Sequence, residues 1–88
     1  METVRHETEE RMTIWGSLAP ELFAPWIRRH AQRIGLQGVI GYCGEERIEL
    51  DVSGASELID MMEVACSLGP IGVWVETIER VPLRRNSV

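Results

Sequence analysis

Gly38-Val-Ile-Gly-Tyr-Cys-Gly-Glu-Glu-Arg-Ile-Glu-Leu-Asp-Val52 is the stretch that decides the fold. Up to Cys43 it is a short apolar run, and Gly44-Glu45-Glu46 has the composition of a turn. Beyond the turn Ile48, Leu50 and Val52 alternate with Arg47, Glu49 and Asp51, as a strand with one buried face requires. A β-hairpin is therefore expected, with a helical pattern on either side of it. Upstream, Ile27, Ala31 and Ile34 recur at helical spacing between Pro25 and Ile34, Phe23 extends the row backward, and Gly35 is a natural stop. Two prolines in Ser17 to Pro25 are not both expected inside a helix, so Pro20 is assigned to a turn and Pro25 to the first helical turn. Downstream, Ser53 to Ser56 opens a second helix whose Leu58, Ile59, Met62, Ala65 and Cys66 form one apolar stripe, ended by Gly69-Pro70.

The outer segments complete the pattern. Arg11-Met-Thr-Ile-Trp15 alternates polar with apolar residues and stops at Gly16, which predicts a first strand. Ile71 to about Val81 is rich in β-branched residues and predicts the last strand; the chain from Leu83 onward reads as a tail or a marginal extra edge strand. The order βαββαβ closes as an α+β ferredoxin-like sandwich, an antiparallel sheet with both helices on one face. Residues 1–10, acidic and without periodicity, read as a flexible arm, residues 11–83 as the domain, and residues 84–88 as a tail.

Composition narrows the function. Eighty-eight residues allow one domain. Nine Lys and Arg against fourteen Asp and Glu give a net charge of -5, so binding to nucleic acid or to an anionic membrane surface is not expected. No apolar run is long enough to span a bilayer, and the first fifteen residues contain no secretory pattern, which predicts a cytoplasmic protein. Cys43 and Cys66 are then reduced thiols. No metal-ligand spacing occurs, His6 lies in a polar tail and His30 has no neighbouring ligand in sequence, so no metal and no cofactor is expected.

Several residues together resemble the acylphosphatase family. Gly16, Phe23 seven residues on, Ala31, and the run Ile34-Gly-Leu-Gln-Gly-Val-Ile40 are similar to that family's glycine, phosphate loop, Phe-Arg pair, and alanine leading into leucine-glycine-leucine-x-glycine. Ile48-Glu49, Gly54, Gly69-Pro70 and Val73-x-Val75 extend the resemblance over roughly residues 11–81. It implies the acylphosphatase-like fold and a site in which loop N–H groups and an arginine hold a phosphoryl group while an asparagine positions the attacking water. Here Ala24 stands at the arginine position and Tyr42 at the asparagine position. The corresponding loop is Ser17, Leu18, Ala19, Pro20, Glu21, Leu22 and Phe23, where Pro20 lacks an N–H and Glu21 places a carboxylate at the mouth. Because phosphoryl chemistry is largely electrostatic, these changes imply a non-catalytic domain acting as a binding or assembly module. The alternative is an acylphosphatase with a rearranged site, in which Arg28, one turn beyond Ala24, serves as a substitute anion ligand. Tyr42 is either a hydrogen-bond donor to a ligand or a packing residue.

A partner face is expected on the open side of the sheet, where alternation leaves Trp15 and Trp74 among Thr13, Arg47, Glu49, Asp51 and Glu76. The first and last strands are neighbours in this topology, which brings the two tryptophans close. They form a patch for a protein partner or a homodimer, or they pack on each other and on the stems of Arg11 and Arg47. Trp26 reads as a border residue of the core or of the pocket. Arg28, Arg29, His30 and Arg33, and near the end Arg80, Arg84 and Arg85, read as basic strips, either solvated or facing an acidic partner.

Overall fold

The computed structural model describes residues 7–85, so the arm expected before Glu7 and the tail after Arg85 lie outside the described residues. The elements are β1 (Glu7–Ser17), α1 (Pro20–Ile34), β2 (Gln37–Cys43), β3 (Arg47–Ala55), α2 (Ser56–Leu68) and β4 (Trp74–Arg85). The strands form one antiparallel sheet in the order β2-β3-β1-β4, and both helices pack on the same face. This is the expected ferredoxin-like sandwich.

The core is the layer between sheet and helices. Met12 and Ile14 from β1 and Ile48, Leu50 and Val52 from β3 are buried against Phe23, Ile27 and Ala31 of α1 and Ile59, Met62 and Cys66 of α2. The alternation legible in β3 is the alternation of its burial. Cys43 is exposed and Cys66 buried, both as free thiols, and burial, reinforced by the charge of Glu63, pushes the Cys66 thiol up to about 12. Among the described residues, no helix is long and apolar enough to cross a membrane.

Four expectations need correction. First, β1 begins at Glu7 rather than Arg11, so residues 7–10 are strand and not arm. As a central strand β1 is laddered on both sides, Glu7 to Glu10 pairing with Val52 to Ala55 of β3 and Thr8 to Glu10 with β4. Backbone pairing on two sides does not depend on apolar side chains, so acidic residues are no bar to it. Second, β4 starts at Trp74, after a turn at Gly72 (φ +97°), and continues through Pro82 to Arg85. Residues after Val81 thus extend β4 rather than forming another strand; a register shift between Glu9 and Glu10 accommodates the proline on this edge strand. Third, α1 starts at Pro20 and contains Pro25. Pro20 occupies the first helical position, where its missing N–H is not needed. The N–H absent at Pro25 would have met the carbonyl of Glu21, an exposed residue whose carbonyl water can satisfy, while burial of Phe23 and Ala24 favours the helix across this segment.

Fourth, Arg80 does not belong to a basic surface strip. It pairs across from Met12 on the helix-facing side of β4, where its Nε donates to Glu10 Oε1 at 2.7 Å and its Nη1 donates to Asp60 Oδ1 and Glu63 Oε1 at 2.8 Å each. One guanidinium thereby ties β4 to β1 and to α2, and the hydrogen bond to Glu10 is the main cause that holds it above the ordinary arginine range. On the opposite face Arg11 donates to both carboxylate oxygens of Asp51, its cross-strand partner, at 2.8 and 3.2 Å.

Candidate functional site

The segment joining β1 to α1 is short because the helix starts early. Leu18 is fully buried and anchors it, and Ala19, the helix N-cap, is left-handed (φ 42°, ψ 68°), a strained conformation for a residue with a side chain. The fate of the backbone donors decides what this turn can bind. Leu18 N–H donates to Glu45 O at 2.8 Å, while Leu22 and Phe23 N–H both donate to Ala19 O at 2.9 and 3.0 Å. Pro20 has none. Between Leu18 and Phe23 at most two amides, those of Ala19 and Glu21, are left to face an anion. Gly16 N–H is also taken, by Glu46 O at 3.1 Å, so the turn between β2 and β3 is stitched onto the loop.

The charged groups fit the same description. Ala24 is 6% exposed and belongs to the core side of α1, so the position at which the resemblance leads one to expect an arginine faces hydrocarbon. Glu21 sits exposed in the first turn, where a carboxylate is favoured by the positive end of the helix. Ser17 closes β1 opposite Trp74, Leu22 is half exposed, and Phe23 is fully buried beside Trp26, ring centroids 5.6 Å apart. Arg28 is exposed on α1 and, eight residues beyond Pro20, lies about 12 Å along the axis from the helix start.

A register shift between Ile40 and Tyr42 sets Tyr42 opposite Glu49, on the open face. Its ring folds over Gly44, where an added Cβ would come within 2.9 Å of the phenol oxygen, and it lies 4.2 Å from the Arg47 guanidinium. The same guanidinium is 5.7 Å from the Trp15 ring. Trp15, Tyr42, Glu45, Glu46 and Arg47 line a cavity of about 410 Å³. Among the described residues, the enclosed Arg47 Nε has no hydrogen-bond partner, because Glu49 Oε2 is 4.0 Å away, too far to accept from it. Packing of Trp15 on Arg47 is legible from alternation; the second ring on the guanidinium is not, since it depends on the shift at Gly41 that turns Tyr42 over.

The two tryptophans of the expected partner face lie on adjacent strands but not in one pair. Trp15 stands opposite Thr77 and is half-buried, whereas Trp74 stands opposite Ser17 and is 68% exposed. Among the described residues no ring contact joins them. Trp26 borders the core and stacks on His30 at 5.0 Å, their planes 9° apart. No group of three or more His, Cys, Asp or Glu among the described residues is placed to hold a metal ion.

The backbone superposes on an acylphosphatase from Coxiella burnetii with a TM-score of 0.82, at 19% identity, covering 94% of this chain and 87% of that one. The fold is that of the acylphosphatases. An acylphosphatase from Bacillus subtilis gives a TM-score of 0.78 at 18% identity, over 89% of this chain and 87% of that one. Full-length HypF, in a phosphate- and nucleotide-bound form, gives 0.79 at 17% identity, over 94% of this chain but 11% of that one. No family model matches the sequence, and neither does any curated protein.

Proposed function

We propose that this acylphosphatase-like domain has no hydrolase activity and serves as a binding or assembly module. The observation that carries the reading is the donor account of the loop. A dianionic phosphoryl group needs a preorganised cradle, and here three amides are spent internally, a fourth is a proline, and the cation position is a buried alanine. The placement of Arg28 about 12 Å from the helix start weighs against the rearranged hydrolase. On the binding side, the Trp15, Tyr42 and Arg47 cavity and the exposed Trp74 are features of a protein-recognition surface. The net charge of -5 and the acidic residues Glu49, Asp51 and Glu79 on the open face favour a protein partner over nucleic acid or membrane. Two free cysteines, one of them exposed, suit the cytoplasm.

Titration of the labelled full chain with orthophosphate at neutral pH, followed by backbone amide NMR, tests the reading. The amides of Ala19 and Glu21 are expected to show no saturable shift up to roughly 10 mM phosphate, the range in which only weak ion association survives. A saturable shift across residues 17–23 at lower concentration, abolished by Arg28→Ala, would establish the rearranged site instead.

A further inference from the structure

We propose that the outer face of the helical layer is the interface of a two-fold dimer, in which α2 of one protomer lies antiparallel on α1 of a second copy of the chain. The inference does not rest on whether the loop binds phosphate. It begins with α2, whose outward stripe is apolar: Met61, Val64 and Leu68 are 51, 62 and 78% exposed and recur with the i, i+3, i+7 spacing through which helices interlock. With Asp60 and Ala65 they line a cavity of about 460 Å³. Toward the start of α2 the stripe runs into Glu57, so this helix is acidic at its N-terminal end and apolar at its C-terminal end.

The exposed side of α1 carries the complement, reversed. Leu22, Trp26, Arg29 and Arg33 have the same i, i+4, i+7, i+11 spacing as Glu57, Met61, Val64 and Leu68, and run from apolar at the N-terminal end to basic at the C-terminal end. Laid antiparallel, Leu22 and Trp26 of one copy meet Leu68 and Val64 of the other, and Arg33 meets Glu57. Among the described residues, Arg29, Arg33 and Glu57 form no ion pair within their own protomer.

The topology makes this arrangement self-consistent. The chain runs from β1 into α1 and from β3 into α2, and β1 and β3 are antiparallel, so α1 and α2 are antiparallel neighbours within one protomer. A two-fold axis parallel to the helices then sets each α1 over the partner's α2 in the required direction, forming both contacts at once and closing the assembly at two copies. Nucleic acid or an anionic membrane would meet Glu57 and Asp60 beside the apolar stripe, which disfavours both. The open sheet face, with the Trp15 and Arg47 cavity, stays free in such a dimer.

Sedimentation equilibrium of the full chain from roughly 1 µM to 1 mM, a range that spans weak to moderate association, tests the proposal. The wild type is expected to reach twice the monomer mass. Val64→Asp is expected to remain monomeric, and Arg33→Glu to weaken association about tenfold or more, each with unchanged far-UV circular dichroism because the positions are exposed. Arg33→Glu combined with Glu57→Arg is expected to restore dimerisation, a result that does not depend on how Val64→Asp folds. A wild type that stays monomeric throughout, a dimer indifferent to Val64→Asp, or a double variant no tighter than Arg33→Glu alone would overturn the proposal.

Discussion

Gly16→Val is expected to destabilise the protein by about 3 kcal/mol, near the upper end of what overpacking costs, and to lower Tm by about 15 °C for a domain of this size. Gly16 lies at a bulge where β1 pairs with β4, and a Cβ built on it would sit 2.1 Å from the Trp74 carbonyl oxygen and 3.0 Å from Val75 Cα. Both are backbone atoms, so no side-chain rotation relieves the clash, and φ at this position (+157°) is one that side-chain-bearing residues rarely adopt. The ladder must open where it roots the loop. Gly41 provides the control, since nothing lies within 4 Å of a Cβ built there. Gly41→Ala should change stability by less than about 0.5 kcal/mol. Urea unfolding of the two variants checks the contrast, and equal stabilities would remove the close approach at Gly16 from the account.

Phe23→Ala is the second large effect, with an expected loss of about 4 kcal/mol. Phe23 has no exposed surface, is among the largest fully buried side chains, and packs against Trp26 with the two rings tilted. It also fixes the first turn of α1, because its N–H closes onto Ala19 O while its ring is held in the core. Total stabilities of small domains are roughly 5 to 15 kcal/mol, so this variant should be only marginally folded at room temperature. Phe23→Leu keeps most of the volume and should lose about 1.5 kcal/mol. Chemical denaturation of the pair measures the gradient; an alanine variant within about 1 kcal/mol of wild type would mean that the start of α1 is held by something other than this ring.

The parts of the fold legible in the sequence are those where burial and alternation coincide. Ile48, Leu50 and Val52 reveal β3, and the stripe of α2 reveals its core face, because one side of each element is apolar and the other is not. The beginning of β1 is hidden for the opposite reason: it is held by backbone pairing on two sides and by Arg80 gripping Glu10, and neither leaves an apolar signature. Pro25 conceals the helical turn from Pro20 to Ala24, since the rule that proline stops a helix gives way where the lost bond falls on an exposed residue, Glu21, and Phe23 and Ala24 face the core. Arg80 looks like surface charge until the β4 register places it on the helix side with Met12.

At the site, the residue types were readable and their geometry was not. Ala24 and Tyr42 are readable as residue types, whereas the pairing of the Leu18 N–H with the Glu45 carbonyl comes from packing of the turn at residues 44–46 against the loop, which no local pattern encodes. The cover of Tyr42 over Arg47 likewise depends on a single-residue register shift.

Hydrolysis of benzoyl phosphate by the purified full chain at neutral pH tests the central claim most directly. The rate is expected to equal that of buffer alone, because the N–H groups of Leu18, Leu22 and Phe23 are spent on carbonyls and Pro20 has none. Turnover at least about tenfold above buffer, a difference of roughly 1.4 kcal/mol in barrier, that co-purifies with the wild-type chain would contradict the account.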